Sequence, residues 1–191
     1  MRIIENEFYD RIRENPVIAA VNNLKKLEKA IKSPCEIIFL LTGDIFNLQE
    51  LVNHVKASGK SVFVHLDLIE GFSRNVCALK YINEIIVPNG IITTKSSLIR
   101  TAKEMGLFSI QRLFMLDALS LQSGINSIKT IRPDAVEILP GIMPRVTKTI
   151  STEVNIPIIT GGLISDKEDV IASIKAGAVG ISTSKEEIWY M

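Results

Sequence analysis

Residues 109–139, SIQRLFMLDALSLQSGINSIKTIRPDAVEIL, decide the fold. The two ends, 109–116 and 135–139, are short runs that stay apolar on both alternating sides, the pattern of a parallel strand covered on both faces. Asp117 stands where a helix N-cap belongs, and the segment it opens reaches Ile131. A strand, a helix and a strand within about 30 residues form the crossover that joins parallel neighbours.

The same unit recurs in both directions along the chain. Further apolar runs lie at 17–21, 37–41, 62–68, 90–93, 156–159 and 178–182. Helical patterns separate them. Leu24, Leu27 and Ile31 share one face, with Lys25, Lys29 and Lys32 on another. Leu48, Leu51, Val52 and Val55 repeat the theme behind a capping box of Asn47 and Glu50. Helices are also expected at 76–83, around Leu98, Ile99 and Ala102 as far as Gly106, at 143–153, and after a second capping box of Ser165 and Glu168. A short helix at 185–191 ends the chain. Eight strands, each followed by a helix, in 191 residues leave roughly 24 residues per unit, near the smallest that can cross over. The expected fold is α/β, a compact (β/α)8 TIM-like barrel in a single domain over 1–191, with residues 1–14 as an extra helical plug at the barrel floor. The rival is an open doubly wound sheet, which requires one or two of these strands to be false, 90–93 being the weakest.

Composition narrows the function classes. Hydrophobic residues make up 47% and charged residues 23%, so the chain can bury a full core. Twenty-two Lys and Arg against 21 Asp and Glu leave a net charge of +1, which gives no bulk electrostatic case for nucleic-acid binding. Cys35 and Cys77 form no disulfide framework and read as inert packing residues suited to a reducing cytosol. With no run of 18 apolar residues and no signal-like N-terminus, the expectation is a cytoplasmic protein without a membrane partner.

In such barrels the functional face lies at the C-terminal ends of the strands. There, Thr160-Gly161-Gly162-Leu163-Ile164-Ser165 follows the seventh run and Ser182-Thr183-Ser184 the eighth. Glycines admit an anion close to the backbone, and a Ser-Thr-Ser turn offers hydroxyls and N–H groups. Gly161, Gly162, Ser182, Thr183 and Ser184 therefore form a candidate phosphate site; the competing reading is a tight turn and a cap. A second signal is charge set in apolar strands. His65 and Asp67 are expected on one strand face, with Glu70 beyond them, Lys95 after the fourth run, Arg112 in the fifth and Glu137 in the sixth. Buried charges need partners, so Arg112 is expected to pair with Glu137, and Lys95 with Asp67 or Glu70. These six residues line either a polar pocket for the hydroxyls of a small phosphorylated polyol or a structural ion network. No HExxH, Cys-x-x-Cys, EF-hand, P-loop or GxSxG pattern occurs, so neither a metal nor a resident cofactor is expected. His54 has no partner spacing. Basic residues cluster at Lys25, Lys26, Lys29 and Lys32 and at Lys129, Arg132, Arg145 and Lys148, and a solvated helix face explains either cluster.

Taken in order, PVIAAV (16–21), HLDLIEG (65–71), NGIITTK (89–95), QRLFMLD (111–117), PDAVEILPG (133–141), PIITGGLIS (157–165) and GISTS (180–184) with Trp189 resemble the glycerol uptake operon antiterminator regulatory protein family across essentially the whole chain. The resemblance implies a TIM-barrel-like regulator rather than an enzyme, with no catalytic residues. Its effector would be glycerol 3-phosphate and its partner the leader mRNA of a glycerol-catabolic operon; a homo-oligomer is left open. Carried over, Gly161, Gly162, Ser182 and Thr183 would hold the phosphate, and His65, Asp67, Glu70, Lys95, Arg112 and Glu137 would line the pocket. Asn89 stands where the family pattern has Asp, Ala118 where it has Ser, and Thr160 where Ala is usual, changes near strand ends that could alter pocket polarity. The alternative function is an isomerase- or aldolase-type barrel acting on a phosphorylated metabolite, with Lys95 as Schiff-base or acid group and Asp67, Glu70 or Glu137 as base.

Overall fold

The computed structural model describes the backbone of residues 3–191 and the side chains from Glu7 onward; Met1 and Arg2, part of the expected 1–14 plug, lie outside the described residues. Eight parallel strands close into a barrel in sequence order: β1 (Val17–Val21), β2 (Ile37–Leu40), β3 (Ser61–His65), β4 (Gly90–Thr93), β5 (Phe108–Phe114), β6 (Ala135–Leu139), β7 (Ile158–Gly161) and β8 (Gly180–Thr183). Closure comes from β1 pairing with β8, Ile18 opposite Ser182. The open sheet is ruled out, and 90–93 is a true strand, paired on both edges.

The helices are α1 (Ile3–Glu14), α2 (Leu27–Lys32), α3 (Leu48–Ala57), α4 (Val76–Tyr81), α5 (Ser96–Glu104), α6 (Ala118–Ile131), α7 (Pro144–Glu153) and α8 (Lys167–Lys175). Asp117 caps α6 as its position requires, accepting from Ser120 N–H at 2.7 Å while the Ser120 hydroxyl accepts from Asp117 N–H. Two expected capping boxes are replaced. Asp166, not Ser165, caps α8 by accepting from Asp169 N–H, and the Asp169 carboxylate reaches back to Ser165. Ahead of α3, Asp44 accepts from the N–H groups of Phe46 and Asn47, so Asn47 makes no cap of its own. In both places a nearby Asp accepts from N–H groups at or just ahead of the first helical turn in place of the expected cap. α4 continues into a π-helical turn, Ile82–Ile86, and the chain ends in a 3-10 turn, Glu186–Tyr190.

Alternation along the strands separates two cores. Ile18, Phe39, Phe63, Ile92, Phe108, Ile110 and Ile159 fill the barrel, while larger apolar clusters pack strands against helices. Phe8 and Ile12 of α1 join the interior cluster, with the Phe8 ring 4.8 Å from Phe108 and 5.6 Å from Phe63. These aromatics fill the N-terminal half of the barrel and leave its C-terminal half to polar side chains.

Candidate functional site

Because Phe63, Ile110, Ala135 and Ile159 point into the barrel, the residues two positions on, His65, Arg112, Glu137 and Gly161, point the same way one layer nearer the C-terminal mouth. Arg112 and Glu137 are 7% and 1% exposed and stand directly opposite on β5 and β6. Arg112 Nε donates to Glu137 Oε2 at 2.6 Å, the pairing that burial demanded. Among the described residues the guanidinium makes no other hydrogen bond or ion pair, so its two terminal nitrogens remain available. A Cβ on Gly161 would lie 2.9 Å from Glu137 Oε1; the glycine is what lets this carboxylate sit against the β7 backbone.

Above this pair a cavity of about 420 Å³ opens at the mouth. Its lining includes Arg112, Glu137, Gly162, Leu163, Ser182, Thr183 and Ser184, together with Asn22 and Lys185. Gly162 and Leu163 both have positive φ, 73° and 60°. For Leu163 that conformation costs on the order of 1 kcal/mol, held in an otherwise exposed loop. Among the described residues, the N–H groups of Gly162, Leu163 and Ser184 have no protein acceptor. Lys185 Nζ donates to the Ser165 carbonyl at 2.7 Å and ties the β7 loop to the β8 loop. Trp189, fully buried, donates Nε1 to the Thr183 carbonyl at 2.8 Å, and Lys26 Nζ donates to the Ser184 carbonyl at 3.0 Å. The β8 turn is thus gripped through its carbonyls while the Ser184 N–H stays open. Free N–H donors, a guanidinium and an ammonium at one mouth, beside a carboxylate and hydroxyls, suit an anionic group on a hydroxylated body.

Not every expected residue joins this set. β3 ends at His65, and 66–68 form a 3-10 turn, so His65 and Asp67 do not share a strand face. Asp67 instead accepts from Thr93 Oγ1, Thr94 N–H and Thr94 Oγ1 at 2.7–2.8 Å. Burial pushes its carboxyl up, but these hydrogen bonds outweigh burial and hold it below the usual carboxylate range. Lys95 is exposed and donates to the Arg74 carbonyl at 3.0 Å, rather than pairing with Asp67 or Glu70. Glu70 is exposed, its backbone bridged to Asp44. His65 is only 2% exposed and neither ring nitrogen finds a partner. Burial first, then the neighbouring Arg112 charge, push its pKa down to about 3, so the imidazole is neutral. Asn89 accepts from Val62 N–H at the start of β4, far along the strand from the mouth, and Thr160 alternates outward, so neither departure touches pocket polarity. Cys35 is buried but Cys77 is exposed, not a packing residue. His54, without partner spacing in the sequence, meets Glu28 across space at 2.6 Å.

Asn22 and Lys185 also line the cavity and Lys26 reaches its β8 turn, though sequence reasoning passed over all three. Lys185 directly follows Ser-Thr-Ser, and that adjacency was the signal; Lys26 read only as one of four helix lysines. A larger cavity of about 710 Å³ opens at the opposite, N-terminal end. There Lys129 is paired with Glu153 at 2.7 Å, and Lys103 donates to the Arg132 carbonyl and pairs with Asp134 at 3.9 Å, so both lysines of this cavity are held by the protein. Among the described residues no cluster could hold a metal ion, and no helix is long and apolar enough to cross a membrane.

Known proteins resemble this chain along nearly its full length. Residues 17–189 match the family described as glycerol-3-phosphate responsive antiterminator. The uncharacterized protein YgcP of Escherichia coli K12 is 38% identical over 178 residues, 93% of each chain. The crystal structure of the glycerol uptake operon antiterminator regulatory protein from Listeria monocytogenes superposes with a TM-score of 0.89 at 34% identity, over 92% of this chain and 95% of that one. An antiterminator-related protein from Thermotoga maritima gives 0.83 at 31% identity, over 92% and 98%. Barrels described as aldolases share 11–14% identity, a likeness of fold alone. With its closed barrel and these matches, the chain belongs to the glycerol-3-phosphate responsive antiterminator family.

Proposed function

We propose that the chain is a cytoplasmic, non-catalytic regulator that binds glycerol 3-phosphate at the C-terminal mouth of the barrel and, so loaded, binds the leader mRNA of a glycerol-catabolic operon to prevent termination. The observation that carries the ligand half is the cavity of about 420 Å³ that joins unpartnered N–H groups of Gly162, Leu163 and Ser184 to the buried Arg112–Glu137 pair. The phosphate sits on those N–H groups with Arg112 and Lys185 supplying charge; Glu137 and Ser182 take the hydroxyls of the glycerol body. His65 lies beneath as a neutral, buried residue beside Arg112. The RNA half rests on the family, whose name carries antitermination. Lys95, the amine an aldolase reading needs, donates to a backbone carbonyl outside the cavity lining, which favours regulation over Schiff-base chemistry.

Isothermal titration calorimetry against glycerol 3-phosphate, glycerol and inorganic phosphate tests the site. The ester should bind tightest, and Gly162→Asp, which sets a carboxylate where the phosphate belongs, should abolish its heat. Equal binding by that variant overturns the assignment. For the RNA half, the ligand should tighten leader-RNA binding, since each ligand raises the affinity of the other by one common factor. Equal RNA affinity with and without it overturns the antiterminator reading.

A further inference from the structure

Two basic surfaces lie outside the cavity. One, on α6 and α7, has Lys129 already paired with Glu153. The other is continuous with the anion loops. Lys25, Lys29 and Lys32 recur at helical spacing on one exposed face of 24–32. Lys26 beside them reaches the Ser184 carbonyl. Glu186, two residues past Ser184, holds Lys29 at 2.8 Å and Lys26 at 3.7 Å. The other acidic group on this face, Glu28, is engaged by His54 at 2.6 Å. Among the described residues Lys25 and Lys32 form no ion pair. One acidic side chain, carried by the loop that offers its N–H to an anion, therefore holds part of the densest lysine face on the molecule.

We infer that the lysine face of residues 25–32 is the RNA-docking surface and that Glu186 couples it to the ligand site. The inference rests on the antiterminator reading above. A dianion on the Ser184 N–H repels the Glu186 carboxylate, and that repulsion loosens its pairs with Lys29 and Lys26. Ammonium charge held internally in the empty protein then becomes available to RNA phosphates. By linkage, RNA on those lysines draws them from Glu186 and raises affinity for the ligand.

Fluorescence anisotropy of a labelled leader transcript, with and without glycerol 3-phosphate and across a salt series, tests both parts on the intact chain. Lys25→Glu with Lys32→Glu should weaken RNA binding at least tenfold and lower the salt slope by about 1.4, roughly 0.7 per lost phosphate contact on single-stranded RNA. The same variant should keep wild-type ligand binding by calorimetry, which also shows that it is folded. Lys129→Glu with Lys148→Glu, on the other basic surface, should stay within twofold of wild type. Glu186→Gln should bind RNA more tightly without ligand and lose at least threefold of the ligand response. Unchanged affinity and slope in the first variant overturn the surface, and so does a loss confined to the second. An unchanged ligand response in Glu186→Gln overturns the coupling. Wild-type protein that binds no leader RNA even with ligand present overturns the antiterminator reading itself, a failure distinct from either.

Discussion

Arg112 and Glu137 hold opposite charges in contact at the floor of the mouth cavity, each almost wholly buried. Removing one leaves the other buried and unpaired, which costs about 3–5 kcal/mol. Arg112→Ala should therefore shift the urea midpoint strongly and abolish ligand binding. Arg112→Met with Glu137→Leu, which replaces the pair by apolar groups of similar size, should recover most of that stability but none of the binding. A double variant that binds the ligand would mean that the pair serves structure alone. His65 predicts a pH effect of definite sign. Its folded pKa of about 3 lies below the ordinary value of 6.5, so between those limits the unfolded chain takes up the proton and stability falls as pH falls. From pH 7 to pH 5 the loss should reach about 2 kcal/mol from this residue. His65→Gln, measured by urea unfolding at both pH values, should remove it; an unchanged slope would locate the acid sensitivity elsewhere.

At the scale of elements, β8 and the turn after it line the mouth cavity, and Trp189 positions both. Its indole fills a fully buried space and its N–H holds the Thr183 carbonyl. Trp189→Phe keeps most of the packing and loses that hydrogen bond, so it should cost about 1 kcal/mol in unfolding free energy while weakening ligand binding several-fold through a looser Ser184. Loss of stability without loss of affinity would separate Trp189 from the site. The strands were legible because period-two burial on both faces leaves few alternatives, and 17–21, 90–93 and 135–139 match to the residue. What the sequence hid was competition among local hydrogen bonds. Nothing in HLDLIEG announces that the strand stops at His65, because the stop depends on Thr93 and Thr94 arriving from the next unit to claim the Asp67 carboxylate. Asp44 and Asp166 supply the acceptors at those helix starts for a similar reason, several side-chain acceptors lying close together in each loop. Of the cavity lining, Gly162, the Ser-Thr-Ser turn and the Arg112–Glu137 pair were readable. Lys95 and Glu70 were not, since loop side chains follow contacts that alternation does not encode.

For the whole molecule, closure decides what can respond to a ligand. Every strand of the barrel is hydrogen-bonded on both edges, and the Phe8, Phe63 and Phe108 rings fill the interior below the polar layer. Such a frame has no free sheet edge along which to slide, so a ligand signal must travel through the loops at the mouth and the elements those loops touch. Binding that leaves the frame intact still stabilises it by mass action, because the unfolded chain has no site. At a ligand concentration 100 times Kd the gain is about 2.7 kcal/mol. For a single domain of this size that corresponds to a rise in Tm of about 5–10 °C. Scanning calorimetry should show this rise with glycerol 3-phosphate in wild type and in Lys25→Glu with Lys32→Glu, whose changes lie outside the cavity, but not in Gly162→Asp. Inorganic phosphate or glycerol at the same concentration should give a much smaller shift, because in the proposed pose the loop N–H groups and Arg112 take the phosphate while Glu137 and Ser182 take the hydroxyls of the same molecule. An equal shift with phosphate alone would mean that the loops bind any anion and that Glu137 and Ser182 contribute nothing to recognition.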